Sequence, residues 1–151
     1  MESLPLPVVT VPIDRMRIAR MAGAINDPNP IHLEDTLAQQ AGFPSVIAHG
    51  TFAIGAIGLL LTQWVGQQHI SHLETRLLAP VFPDDQLVCE GQVESVEGNR
   101  AMIRAQVLAG RRQIATGLAT VVWSEDGQPP WPGADSSQAG NTEKHDKQES
   151  G

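Results

Sequence analysis

At 151 residues and 41% hydrophobic content, the chain has the length of one domain and enough apolar material for a core. Its formal net charge of -7 and pI near 5.1, with ten scattered Lys and Arg of which only Arg111 and Arg112 are adjacent, exclude a nucleic-acid partner, which needs a basic face. The lone cysteine, Cys89, excludes an intrachain disulfide and fits a reducing cytoplasm, and the apolar run Ala53 to Leu61 falls short of the roughly 20 residues that span a bilayer.

Leu6 to Val11 is extended in character. No basic and apolar leader is expected, since Met1 to Thr10 carries Glu2, Pro5 and Pro7. Pro12 sits where a helix can begin, at a first-turn position that tolerates a missing N–H. Ile13, Met16, Ile18, Met21 and Ile25 recur at helical spacing with Arg15, Arg17 and Arg20 between them, which predicts an amphipathic helix ending near Ala24. Pro28 and Pro30 forbid its continuation. They push Asp27 and Asn29 out of the α region into a stiff, extended loop. A short helix is expected over Glu34 to Ala41, broken by Gly42-Phe43-Pro44-Ser45. From about His49 to Val65 comes a long helix, nearly free of charge and apolar on all sides, hence expected to be buried on all sides. Its small residues, Gly50, Ala53, Gly55, Ala56 and Gly58, allow a sheet or a ligand to approach closely. Glycine costs a helix up to about 1 kcal/mol against Ala, so some close contact is expected to compensate, with tight packing of the sheet favoured over an acyl channel.

After residue 72 the pattern turns to strands: Leu73 to Leu78, Gln86 to Val96, Ala101 to Leu108 and Gln113 to Trp123. The breaks at Glu97-Gly98-Asn99 and Ala109-Gly110-Arg111 are short enough for hairpins, so the sheet is mainly antiparallel. Leu87, Cys89, Gly91 and Val93 share one face, which puts Cys89 inside. From Asp126 the composition shifts to Gly, Pro, Ser, Gln and charge, so the domain is expected over residues 1–125 and a disordered tail over 126–151. Trp64, at the end of the long helix, reads as core; Trp131, between two prolines, either folds back or lies on a partner chain. The plan is α+β, one long helix followed by an antiparallel sheet that wraps it.

Two strings carry candidate chemistry. In Asp27-Pro28-Asn29-Pro30-Ile31-His32 an acid and an imidazole stand five residues apart on backbone stiffened by prolines, the rigid placement that general acid–base work needs. A capping Asp and a surface His beside an ordinary Pro-rich turn explain the same string equally well. Asn29 either orients a side chain or closes an Asx turn. In His49-Gly50-Thr51 the long helix begins, where free N–H groups and partial positive charge suit a developing oxyanion. A plain helix start with a structural histidine is the competing reading. His69 and His72 lack metal-ligand company, and no metal site is expected.

Taken together the strings resemble the MaoC-like dehydratases, in particular the (R)-specific enoyl-CoA hydratases of hot-dog fold. That motif is Asp, any residue, Asn-Pro, an aliphatic residue and His, and residues 27–32 match it position by position. Ala38, Ala41, Gly42-Phe43 and Ile47-Ala48-His49-Gly50 follow in the family's order. Arg76 to Asp85 looks like its strand and turn, an apolar-x-Pro-Val-x-x-Gly-Asp pattern. The likeness runs from about Leu6 to Trp123. Three positions depart from it. Asn26 stands where Gly usually precedes the Asp, Gly58 where many members carry a hydroxyl, and Thr51 where Met is common.

The resemblance implies a single hot-dog fold and a hydro-lyase that reversibly hydrates trans-2-enoyl thioesters to (R)-3-hydroxyacyl thioesters. It implies Asp27 and His32 as the catalytic pair, Asn29 in support, and Gly50 with His49 at the thioester oxygen. The substrate would be borne on coenzyme A or an acyl carrier protein, with no cofactor and no metal. A lone hot-dog leaves a sheet edge open, so a homodimer or larger assembly, or a heteromer with another hot-dog subunit, is expected. A catalytic subunit of a heteromeric hydratase and a biosynthetic dehydratase or cyclase acting on a polyketide-like substrate are the alternatives.

Overall fold

Three long strands follow one another through two tight turns. In the computed structural model, which describes residues 8–133, these are β3 (Gln86–Glu97), β4 (Arg100–Ala109) and β5 (Arg112–Val122). Gly98 and Gly110 begin the two turns at φ +58° and +60°, a region where a side chain is strained and glycine is not. β1 (Val9–Pro12) pairs with β3 and β2 (Ile70–Leu77) with β5, so the order is β1-β3-β4-β5-β2 and every neighbouring pair is antiparallel.

Between β1 and β2 the chain forms α1 (Arg15–Ala24), α2 (Asp35–Gln40) and α3 (Thr51–Val65). α1 starts later than Pro12 implies. Pro12 ends β1, and Asp14 caps the helix by accepting the Arg17 N–H at 2.7 Å. α3 lies against the sheet, as the resemblance implies: this is the hot-dog arrangement. Leu87, Cys89, Ile103, Val107, Ala115 and Val121 turn inward and are buried. Burial pushes the Cys89 thiol up to about 12.

The sheet as well as the helix supplies small residues that allow close packing. Gly91, Ala105 and Gly117 sit side by side on β3, β4 and β5. A methyl built on Gly117 meets the Ile57 side chain of α3 at 3.0 Å. On α3 itself, Ala53 and Ala56 face the sheet and are buried. A methyl on Gly55 or Gly58 meets nothing within 4 Å. The expectation of all-round burial is therefore corrected: Ile54 is 37% and Leu59 44% exposed. One helix in contact with one sheet covers only about half of its circumference.

Trp131 lies beyond the expected domain limit at residue 125, yet its ring is buried. It packs between Trp64 at 5.6 Å, tilted, and Trp123 at 5.5 Å, edge-on. Folding back is thus the alternative realised for Trp131. Residues 134–151 of the expected tail lie outside the described residues. Among the described residues no helix is long and apolar enough to cross a membrane.

Candidate active site

The first string hangs from the end of α1. Asp27 N–H donates to the Ala22 carbonyl at 2.9 Å, which closes the helix, and Asn26 reverses the chain at φ +53°. Asn and Asp are the non-glycine residues that best tolerate that left-handed region. This explains how Asn26 stands in a glycine position. Asp84, in the other glycine position of the resemblance, is likewise left-handed at φ +71°.

Asn29 is extended, as the prolines predict, at φ -55° and ψ 128°. Its Oδ1 accepts the Ile31 N–H at 3.2 Å and starts a single 3-10 turn, Pro30–His32. The Asx turn is thus realised, and the Asn29 side chain is engaged with backbone. Its own N–H approaches Asp27 Oδ1 at 3.4 Å.

The second string docks on the first. Ile47 N–H donates to the Ile31 carbonyl at 3.1 Å, and His32 Nδ1 lies 2.7 Å from the Ile47 carbonyl. A carbonyl only accepts, so His32 carries a proton on Nδ1, and in its neutral form Nε2 is bare. That Nε2 lies 3.7 Å from Asp27 Oδ2. The two acceptors lie close enough for one donor molecule set beside them to reach both.

The His49 side chain turns toward the first string. Its ring stacks on His32 with centroids 3.7 Å apart. Its Nε2 lies 3.1 Å from the Asp27 carbonyl and therefore donates to it. His49 Nδ1 is left as a buried lone pair without a partner. The residue is engaged with the Asp27 backbone and not with the helix start beyond it.

At that helix start, the first N–H to find a backbone acceptor is that of Phe52, at the His49 carbonyl (3.1 Å). The Gly50 and Thr51 N–H groups have no acceptor among the described residues. A side chain at Gly50 would collide with Leu77 of β2.

Asp27, His32 and His49 each bring one ligand atom within 4.8 Å of the others. The set fits a metal ion poorly. His49 Nε2 is committed to the Asp27 carbonyl, and rings stacked only 25° from parallel do not aim their lone pairs at one point.

One anchoring residue was not foreseen. Asp35 accepts the Val46 N–H at 2.9 Å and pairs with Arg15 Nη2 at 2.9 and 3.0 Å, tying α1 and α2 to the segment that carries Ile47 and His49. The Val46 N–H, and after it Arg15, hold the Asp35 carboxyl below its ordinary value. Arg15 and Asp35 lie 20 residues apart, outside any helical or strand period, so no sequence signal links them.

The profile of one known family, the "MaoC like domain", matches residues 2–113. Over 54 residues, 36% of this chain, the sequence is 43% identical to 3-hydroxyacyl-thioester dehydratase X of Mycobacterium tuberculosis; the matched part spans 19% of that protein's length. Among solved structures, the (R)-hydratase from A. caviae involved in PHA biosynthesis superposes with a TM-score of 0.71 at 22% identity, covering 82% of this chain and 98% of that one. The ChsH1-ChsH2 complex from Mycobacterium tuberculosis gives 0.72 at 18% identity, covering 82% and 98%. At these identities the likeness establishes the fold.

Proposed function

This chain belongs to the MaoC-like domain family, and we propose from that premise that it is a hydro-lyase of the (R)-specific enoyl-CoA hydratase type, adding water reversibly to trans-2-enoyl thioesters to give (R)-3-hydroxyacyl thioesters. The observation that carries the proposal is the facing pair of acceptors, bare His32 Nε2 and Asp27 Oδ2, 3.7 Å apart beside unpaired N–H groups at Gly50 and Thr51.

A water held beside the pair donates one O–H to each acceptor. His32 Nε2 takes its proton as the water oxygen bonds to Cβ of the enoyl group. The electron pair of the double bond moves onto the thioester oxygen, where the Gly50 N–H receives it at the start of α3. Removing such a donor costs roughly 3–4 kcal/mol of transition-state stabilisation. The imidazolium then returns its proton to Cα. Asp27 orients the water and balances the charge on the imidazolium throughout. His49 holds the Asp27 backbone and supports the His32 ring from behind. Every proton and electron pair is accounted for by water, thioester and imidazole, so the step uses neither cofactor nor metal.

The acyl chain is placed along the outward face of α3, over Gly55 and Gly58, where a methyl would meet nothing. A second subunit is placed across the same face. Ile54 and Leu59 there, and Leu77 and Leu78 at the free β2 edge, are exposed apolar side chains of the kind an assembly covers. That subunit is a second copy or a different hot-dog chain; the ChsH1-ChsH2 structure is a complex of this fold.

The test is loss of enoyl absorbance from crotonyl-CoA and a longer enoyl-CoA, using the parent, Asp27→Asn and His32→Ala. Turnover should fall by about 100-fold or more in both variants. Activity indifferent to either change would sink the assignment. A folded parent inactive on both substrates would favour a missing partner chain or a specialised biosynthetic substrate.

A further inference from the structure

A buried polar atom without a partner costs stability, so its presence calls for a reason. Among the described residues His49 Nδ1 is the one side-chain atom of this kind. His49 is only 3% exposed, and Ala48 before it and Phe52 and Ala53 after it are buried and apolar. A leucine or phenylalanine in its place would have no lone pair to leave orphaned. Core stability therefore does not account for the imidazole. Its remaining contacts do: it offers one N–H and one ring face, and each falls on a member of the pair.

The N–H fixes Asp27. His49 Nε2 lies 3.1 Å from the Asp27 carbonyl and 3.9 Å from Asp27 Oδ2. The donor thus grips the backbone and stands too far from the carboxylate for a hydrogen bond, so Oδ2 stays open to water. The ring face fixes His32. That residue is held at one edge, by Nδ1 on the Ile47 carbonyl at 2.7 Å, and a single hydrogen bond lets a ring swing about it. The His49 ring, stacked 3.7 Å away and 25° from parallel, blocks the swing on one side. His32 Nε2 stays turned toward Asp27 Oδ2 at 3.7 Å. His49 itself rides on anchored backbone. The Ala48 N–H donates to the Val81 carbonyl at 2.8 Å and the Phe52 N–H to the His49 carbonyl at 3.1 Å. The next residue is Gly50, so His49 ties the carboxylate, the imidazole and the oxyanion donor to one another.

We propose that His49 is a positioning residue for the hydration step, acting through Asp27 and His32 without touching the substrate. The inference rests on the hydratase reading of the pair. Placement enters the rate directly, since an error of about 1 Å costs up to about 100-fold. The imidazole serves turnover at a cost in stability, a trade-off common at active sites.

Crotonyl-CoA hydration and thermal melting are measured on the parent, His49→Leu, His49→Phe and His49→Gln. His49→Leu removes both the N–H and the flat face. Its kcat should fall about tenfold or more at unchanged KM, with a melting temperature equal to or above that of the parent. His49→Phe keeps a face to stack and His49→Gln keeps a side-chain N–H, and each should restore part of kcat. A merely structural histidine gives the reverse, a lower melting temperature with kcat per folded molecule intact. A second readout needs no substrate: exchange of the His32 Nδ1 proton, followed by NMR, should be about tenfold faster or more in His49→Leu. An unchanged kcat in His49→Leu, a rise in KM alone, a loss that tracks the melting temperature, or equal exchange in parent and variant would overturn the proposal. Asp27→Asn and His32→Ala variants that hydrate as fast as the parent would sink the hydratase reading instead, and faster exchange in His49→Leu would still leave its hold on His32 standing.

Discussion

On the sheet-facing side of α3, Ala53, Ala56, Ile57, Leu60 and Leu61 are buried against β1 to β5. On the opposite side Ile54, Gly55 and Leu59 are just as apolar and lie exposed. Composition does not separate the two faces; contact does. The buried face holds the fold together, and its neighbours are the small residues of the sheet. The other face contributes nothing to the fold of a single chain, so its apolar character fits a ligand or another subunit.

The sharpest way to separate the faces is to truncate one leucine on each. Leu60→Ala removes a side chain with no exposed surface and should cost about 2–5 kcal/mol in denaturant unfolding. Leu59→Ala in a single subunit should stay within about 0.5 kcal/mol. Comparable losses, growing with protein concentration, would show instead that an assembly covers the outward face.

The same Gly→Ala change should have opposite signs on the two sides of the contact. At Gly117 the new methyl meets Ile57 at 3.0 Å, and a side chain in that packed interior should cost about 1–3 kcal/mol. At Gly58 it meets nothing, and a helix gains close to 1 kcal/mol from Ala over Gly. Thermal melting of both variants reads the pair. A destabilising Gly58→Ala would mean that another chain packs there.

The segment leading into α3 is tied by a hydrogen bond from the Val46 N–H to Asp35 in addition to apolar burial. Because the folded carboxyl titrates below its ordinary value of 3.8, its contribution to stability is complete above that pH. It is lost as pH falls through the folded value. Hydrogen exchange at Val46 should therefore gain protection from Asp35 at neutral pH and lose it in acid, while Leu60 and Leu61 keep theirs. Asp35→Asn should remove the pH dependence at Val46, and this is the smallest of the expected effects. An unchanged profile in that variant would assign the anchoring to something other than the carboxylate.

The strands and hairpins were legible because they rest on local chemistry: alternation along β3 to β5 and glycine in both turns. The first string was legible for the same reason, since the prolines and Asn29 act on adjacent backbone. Misplaced elements trace to competition that local rules do not see. Pro12 suits a helix start, but pairing with Gln86 claimed it for β1. Trp131 follows a polar, proline-rich stretch, but the edge of Trp123 and the end of α3 gave its ring a place to be buried.

By itself the sequence determined which residues carry an acid, an imidazole and a helix start, and that Asn29 lies on stiff extended backbone. The tertiary structure alone decided what those groups face. The bare Nε2 of His32 depends on a carbonyl 15 residues away. The engagement of His49 with Asp27 depends on one 22 residues away. The outward face of α3 depends on which half of the helix the sheet covers. Hydrogen-bond direction and burial are properties of surfaces that meet, and a one-dimensional pattern does not say which surfaces those are.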